Sequence, residues 1–142
     1  MDRQEALERY VAFLEGLTPA GLDRLGEVCA PGVRFQDPFN EVEGLERYRL
    51  VLERMYEDVP EIEFRVVSSA LGRDSAFLRW CFSGRTRGGR AIDFEGTSEI
   101  AFDEAGLVTA HRDFWDAGAA LYEKLPLIGV LIRGIRRKLS IG

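Results

Sequence analysis

Helical periodicity as far as Pro60 and strand periodicity beyond it predict an α+β domain, with helices laid against one face of an antiparallel sheet. Three observations carry that expectation. Apolar residues recur at helical spacing in the segments before Pro60, they alternate or run together from Ile62 to Trp115, and Asp-Pro or glycine-containing turns separate the pieces.

Leu7, Tyr10, Val11 and Leu14 mark a first helix that ends near Gly16, with Tyr10 on its buried stripe. Thr18 followed by Pro19 is an N-cap and first-turn signal, opening a second short helix with Leu22, Leu25 and Val28 inward; Pro31 and Gly32 are expected to end it. Val33 and Phe35 then alternate with Arg34 and Gln36 as a short strand. Strand parity points Asp37, in the stretch FQDPFN, to the same apolar side as Val33 and Phe35. Leu45, Tyr48, Leu52 and Met55 give a third helix, closed by Pro60. Glu61 to Ala70 alternates, Ser75 to Phe82 is nearly continuous apolar sequence, TRGGR turns into Ala91 to Phe102, and DEAG turns into Leu107 to Trp115. Because Phe77 to Phe82 is apolar on both parities, both sheet faces are expected to be covered, one by helices and the other by a partner subunit or the tail.

The organisation is one domain over residues 1–123 and a basic C-terminal extension over 124–142. The N-terminus MDRQEALERY is charged where a signal peptide would be apolar, and no apolar run approaches the roughly 20 residues of a spanning helix, so a cytoplasmic protein is expected. Cys29 and Cys81 lack metal-site spacing and read as reduced thiols. No dinucleotide, P-loop or zinc motif occurs, and neither cofactor nor metal is expected. From Lys124 onward there are five basic side chains and no acidic one, which leaves 14 basic against 24 acidic in the rest of the chain. An acidic body of that kind argues against nucleic-acid binding, whose affinity comes from neutralising phosphates.

FQDPFN admits two readings. Asp37 can open a type I turn with Pro38 at its second position, or it can be a desolvated carboxylate serving as a base. On the last strand, parity groups His111, the only histidine, with Asp113 and Trp115; on the apolar strand it groups Arg79 with Phe77 and Cys81. Arg79 and Asp113 are expected either to form a polar cluster orienting His111 or to pair as a self-satisfied structural couple.

RYVAFL in the first helix, FQDPFN with Gly44 after it, IAFDEAGLV at the last hairpin and HRDFWD on the final strand together resemble the SnoaL-like branch of the nuclear transport factor 2-like superfamily, over about residues 3–117. The resemblance implies a curved sheet around a conical apolar pocket, closed by the helices, and a homodimer through the sheet. It implies a pocket holding Tyr10, Phe35, Asp37, Tyr48, Met55, Arg79, Phe94, Ser98, Ile100, His111, Asp113 and Trp115. Compared with ketosteroid isomerase, Tyr10 falls at an oxyanion-binding tyrosine, Asp37 at the general base and Ser98 where a second, protonated acid would donate. Compared with limonene epoxide hydrolase, Arg79 and Asp113 match the arginine and one aspartate, whereas Cys81, Phe35 and Asp37 replace the remaining polar residues. The function so implied is binding of a small hydrophobic, carbonyl-bearing molecule of polyketide, steroid or lipid type, with cofactor-free isomerase, cyclase or dehydratase chemistry; the alternative is a non-enzymatic binding or interaction module.

In the tail, Leu127, Ile128, Leu131, Ile132, Ile135 and Leu139 share one arc of a helical wheel, with Arg133, Arg136 and Arg137 opposite and Lys138 off the pattern. Such a helix can cap the cone, pack on a dimer face or lie on an anionic membrane surface over residues 125–141.

Overall fold

The computed structural model describes residues 1–120 and 126–141, apart from the side chains of residues 126–128 and 132. Helix α1 (Arg3–Glu15) is capped by Asp2, whose carboxylate accepts from the Glu5 amide at 2.8 Å. A 3₁₀ helix (Pro19–Glu27) follows. Then come β1 (Cys29–Gln36), β2 (Glu41–Glu43), α2 (Leu45–Asp58), β3 (Glu61–Leu71), β4 (Ala76–Arg85), β5 (Ala91–Phe102), β6 (Val108–Trp115), the short α3 (Ala117–Ala120) and α4 (Pro126–Leu139).

The six strands form one sheet in the order β2-β1-β6-β5-β4-β3. The expected antiparallel meander is present from β3 to β6, but β1 pairs with β6 in parallel, so the sheet is mixed. That pairing joins residues far apart in sequence, and no local pattern announces it. Pro31 and Gly32 do not end the second helix, which stops at Glu27; they lie within β1, where its register against β6 shifts between Cys29 and Arg34. Proline lacks the amide a regular ladder would need, so the irregularity falls there. Strand β2, too short to be evident in the sequence, pairs back on β1 across the DPFN turn.

Helices α1 and α2 cover one face of the sheet. Leu7 and Tyr10 from α1, Tyr48 and Leu52 from α2, and Val33, Phe35, Leu78, Trp80, Phe82 and Ile100 from the strands bury their side chains between them. At roughly 1.5–3 kcal/mol per buried large apolar side chain, this layer is the main source of stability. Gly44, at φ 97°, ends β2's neighbourhood and caps α2 in a conformation that side-chain-bearing residues rarely adopt. Among the described residues no helix is long and apolar enough to cross a membrane.

Candidate active site

Between α2 and the inner sheet face lies a cavity of about 540 Å³. Its wall is largely aromatic: Phe35, Tyr48, Phe64, Trp80, Phe94 and Trp115 all contribute. The β4 strand supplies Trp80 and Phe82 to this side because it buries Ala76, Leu78, Trp80 and Phe82 in alternation. Gly96, directly across from Trp80 on β5, makes room for the indole, since a Cβ there would sit 2.6 Å from Trp80 Cζ2.

The polar groups of the cavity converge on Asp113. His111 and Asp113 lie two apart on β6, so both face inward, and His111 Nε2 is 2.6 Å from Asp113 Oδ1. Ser98, opposite Asp113 in the β5–β6 register, donates to the same Oδ1 at 2.5 Å. Trp80 Nε1 in turn donates to Ser98 Oγ at 2.8 Å. On the other side of the imidazole, Tyr10 Oη is 2.7 Å from Nδ1 and 2.8 Å from Tyr48 Oη. A chain of donors runs through these groups without conflict. Tyr48 donates to Tyr10, Tyr10 donates to Nδ1, and Nε2–H and Ser98 donate to an ionised Asp113. Burial holds both phenols well above their ordinary pKa, helped in each case by neighbouring acidic groups, so they remain neutral donors. Asp113 Oδ2 has no partner among the described residues, and the carboxylate lines the cavity.

Asp37 also lines the cavity, but its position is that of a turn-former. Its Oδ1 accepts from the amides of Phe39 at 2.8 Å and Asn40 at 2.7 Å, and from Asn40 Nδ2 at 3.1 Å; Oδ2 receives only the same amide group, at 3.3 Å. The turn and the cavity wall are thus one feature, not alternatives.

Of the residues expected in the pocket, Phe35, Asp37, Tyr48, Met55, Phe94, His111, Asp113 and Trp115 line it. Tyr10, Ser98 and Ile100 do not: each is fully buried, with Tyr10 behind Tyr48 and His111, and Ser98 behind Asp113. Arg79 is elsewhere altogether. It projects from the outer sheet face, more than half exposed, and pairs with Glu95 at 3.0 Å. Its expected meeting with Asp113 is ruled out twice over, by the opposite face and by β5 standing between β4 and β6. Phe77 and Cys81 share that outer face with it. Trp80 and Phe82 were not anticipated from the sequence, although their bulk on one parity of β4 was the available signal. Cys29 is completely buried, and desolvation pushes its thiol up to about 12, which suits a core residue and not a nucleophile. Among the described residues no three His, Cys, Asp or Glu side chains are grouped to hold a metal ion.

A mixed sheet curved over helices, with a polar cluster at one end of an aromatic cavity, defines the nuclear transport factor 2-like class of α+β proteins. Within that class the chain belongs to the SnoaL-like family, whose domain model matches residues 9–111. Solved structures agree on the fold. A candidate SnoaL-like polyketide cyclase from Jannaschia sp. CCS1 superposes with a TM-score of 0.71 at 21% identity, over 82% of this chain and 87% of that one. A candidate isomerase of the SnoaL-like family from Agrobacterium tumefaciens gives 0.64 at 16% identity, over 80% and 97%. A limonene-epoxide-hydrolase-like enzyme of M. tuberculosis gives 0.66 at 17%, over 92% and 93%. Among curated proteins none matches the chain.

Proposed function

We propose that the protein binds a small hydrophobic, carbonyl-bearing molecule in the aromatic cavity and moves a proton on it without a cofactor, with Asp113 as the base. One observation carries this reading: Asp113 has one oxygen fixed by His111 and Ser98 and the other, among the described residues, unengaged beside an apolar cavity. A C–H bond next to a carbonyl would lose its proton to Asp113 Oδ2 while its electron pair moves to the carbonyl oxygen. Tyr48, which lines the cavity, turns its hydroxyl from Tyr10 to donate to that developing enolate. Return of the proton to a different carbon isomerises the molecule; attack of the enolate on a second carbonyl cyclises it. His111 acts by holding Asp113 in place, and Tyr10 by fixing the imidazole tautomer.

The lining carries three carboxylates, Asp37, Asp58 and Asp113, against the single arginine Arg54, which favours a neutral ligand over a polyanion. The reading includes a homodimer through the outer sheet face, where Phe77, Phe114 and Val67 stand 39–46% exposed.

The test is hydrogen–deuterium exchange at the carbon beside the carbonyl of a bicyclic ketone such as 2-tetralone, followed by NMR in D₂O. Catalysed exchange that Asp113→Asn abolishes is the expected result. The two tryptophans, Trp80 and Trp115, both line the cavity and report occupancy by fluorescence. Ligand-dependent quenching without any catalysed exchange would sink the enzymatic reading and leave a binding module.

A further inference from the structure

The last helix presents its apolar residues outward. Of the eleven large hydrophobic side chains standing exposed among the described residues, five fall between residues 130 and 141. Leu131, Ile135 and Leu139, spaced i, i+4 and i+8, form one stripe and are 65%, 51% and 78% exposed. The described contacts of the helix with the domain lie away from this stripe, although Val130 and Arg137, also away from it, are exposed. Gly129, about 160° around the axis from Leu131, is buried, and Arg136 forms an ion pair with Asp116, just past the end of β6. Leu131, Ile135 and Leu139 are not part of the cavity wall.

Charge accompanies the stripe. Lys138 is exposed beside it and Arg137 is exposed on the opposite side of the helix, and residues 124–142 contain no acidic side chain while the rest of the chain is strongly acidic. We propose that α4 lies in the surface of an anionic lipid bilayer, with Leu131, Ile135 and Leu139 among the acyl chains and Arg137 and Lys138 at the headgroups. The domain, acidic on balance, is repelled by such a surface while this helix is attracted to it, so charge favours one orientation: α4 down, domain away from the lipid. Lys138 lies within the apolar arc, and its long stem lets the ammonium rise to the headgroup level while the methylenes stay in the apolar layer. The inference is independent of the chemistry assigned to the cavity.

The experiment is co-sedimentation of the full-length chain with vesicles of phosphatidylcholine and phosphatidylglycerol, 3:1, beside vesicles of phosphatidylcholine alone. Binding to the anionic vesicles that weakens as salt is raised is expected. Replacing Leu131, Ile135 and Leu139 together by Ser should reduce it at least about tenfold, and Arg137→Gln with Lys138→Gln should remove the preference for phosphatidylglycerol. Circular dichroism and tryptophan fluorescence establish that the variant domains are folded. Failure of the full-length protein to bind anionic vesicles at low salt overturns the proposal, as does undiminished binding by the triple Ser variant. A fall in molar mass of that variant by light scattering would also overturn it, because the stripe would then be a contact between copies of the chain.

Discussion

Asp37 and Asp113 are two carboxylates on the wall of one cavity, and they differ in what their oxygens are left to do. Around Asp37 the local chain closes on the carboxylate: two backbone amides and the Asn40 side chain, all within three residues, hold Oδ1, and the same Asn40 amide reaches Oδ2 at 3.3 Å. Around Asp113, His111 of β6 and Ser98 of β5 both bond to Oδ1, and they are held in turn by Trp80 of β4, Tyr10 of α1 and, through Tyr10, Tyr48 of α2. A carboxylate fixed by its neighbours in sequence completes a turn, whereas one held on a single oxygen by a network drawn from distant elements keeps its other oxygen in a defined place. The fold organises itself around the second.

The comparison breaks most visibly at Asp113. Asp113→Asn preserves shape but supplies an amide where a base is required, and catalysed exchange should fall by about 10²–10⁴-fold. Asp37→Ala should leave exchange within about threefold while lowering stability by about 1–2 kcal/mol in urea unfolding, the usual cost of losing a side chain that satisfies turn amides. Equal kinetic losses from the two substitutions would erase the distinction.

The two tyrosines sharpen it further. Tyr48 reaches the cavity and Tyr10 does not. Tyr48→Phe should lower the exchange rate by about 10²-fold through loss of the enolate donor. Tyr10→Phe leaves His111 Nδ1 and the Tyr48 hydroxyl without their buried partner, and its larger effect should be on unfolding, about 1–3 kcal/mol.

Much of this arrangement could be read from the sequence, because it rests on parity. Val33 and Phe35 on one strand with Asp37 just past its end, and His111, Asp113 and Trp115 on another, face inward as the two-residue period requires. Depth was not legible. The helical stripe buries Tyr10, but only the packing of Tyr48 and His111 in front of it removes it from the cavity wall. Nor was the face of β4 decidable by alternation, since Phe77 and Cys81 are as apolar as Leu78 and Phe82. What decides it is the fit of Trp80 against Gly96, a relation between two strands that exists only once their register is known.

Alkaline stability should follow from the buried acids of the core. An acid whose pKa is raised by folding contributes stability below its unfolded value and loses it as pH rises toward the folded one. Cys29, raised from 9.0 to about 12, therefore draws stability down from about pH 9 upward, by on the order of 1.4 kcal/mol per pH unit, and Tyr10 and Tyr48 add to the decline above 10.0. Urea midpoints measured from pH 8 to pH 10 should fall less for Cys29→Ala than for the native chain. Parallel curves would show that the thiol is not the group responsible.

Arg79 marks the opposite extreme from Asp113. Its guanidinium and the Glu95 carboxylate are 54% and 61% exposed, so water screens their attraction and both long side chains lose freedom in making it. Arg79→Ala should change stability by about 0–1 kcal/mol and leave exchange at the native rate, because the side chain is separated from Asp113 by the thickness of the sheet as well as by β5. The outcome to look for is a shift in association: Arg79 sits on the same face as Phe77 and Phe114. If that face joins two copies, removing one charge from it should alter the dimer dissociation constant measured by light scattering while the kinetics stay unchanged. A kinetic loss without a change in mass would place Arg79 back in the chemistry and contradict the division between the two faces.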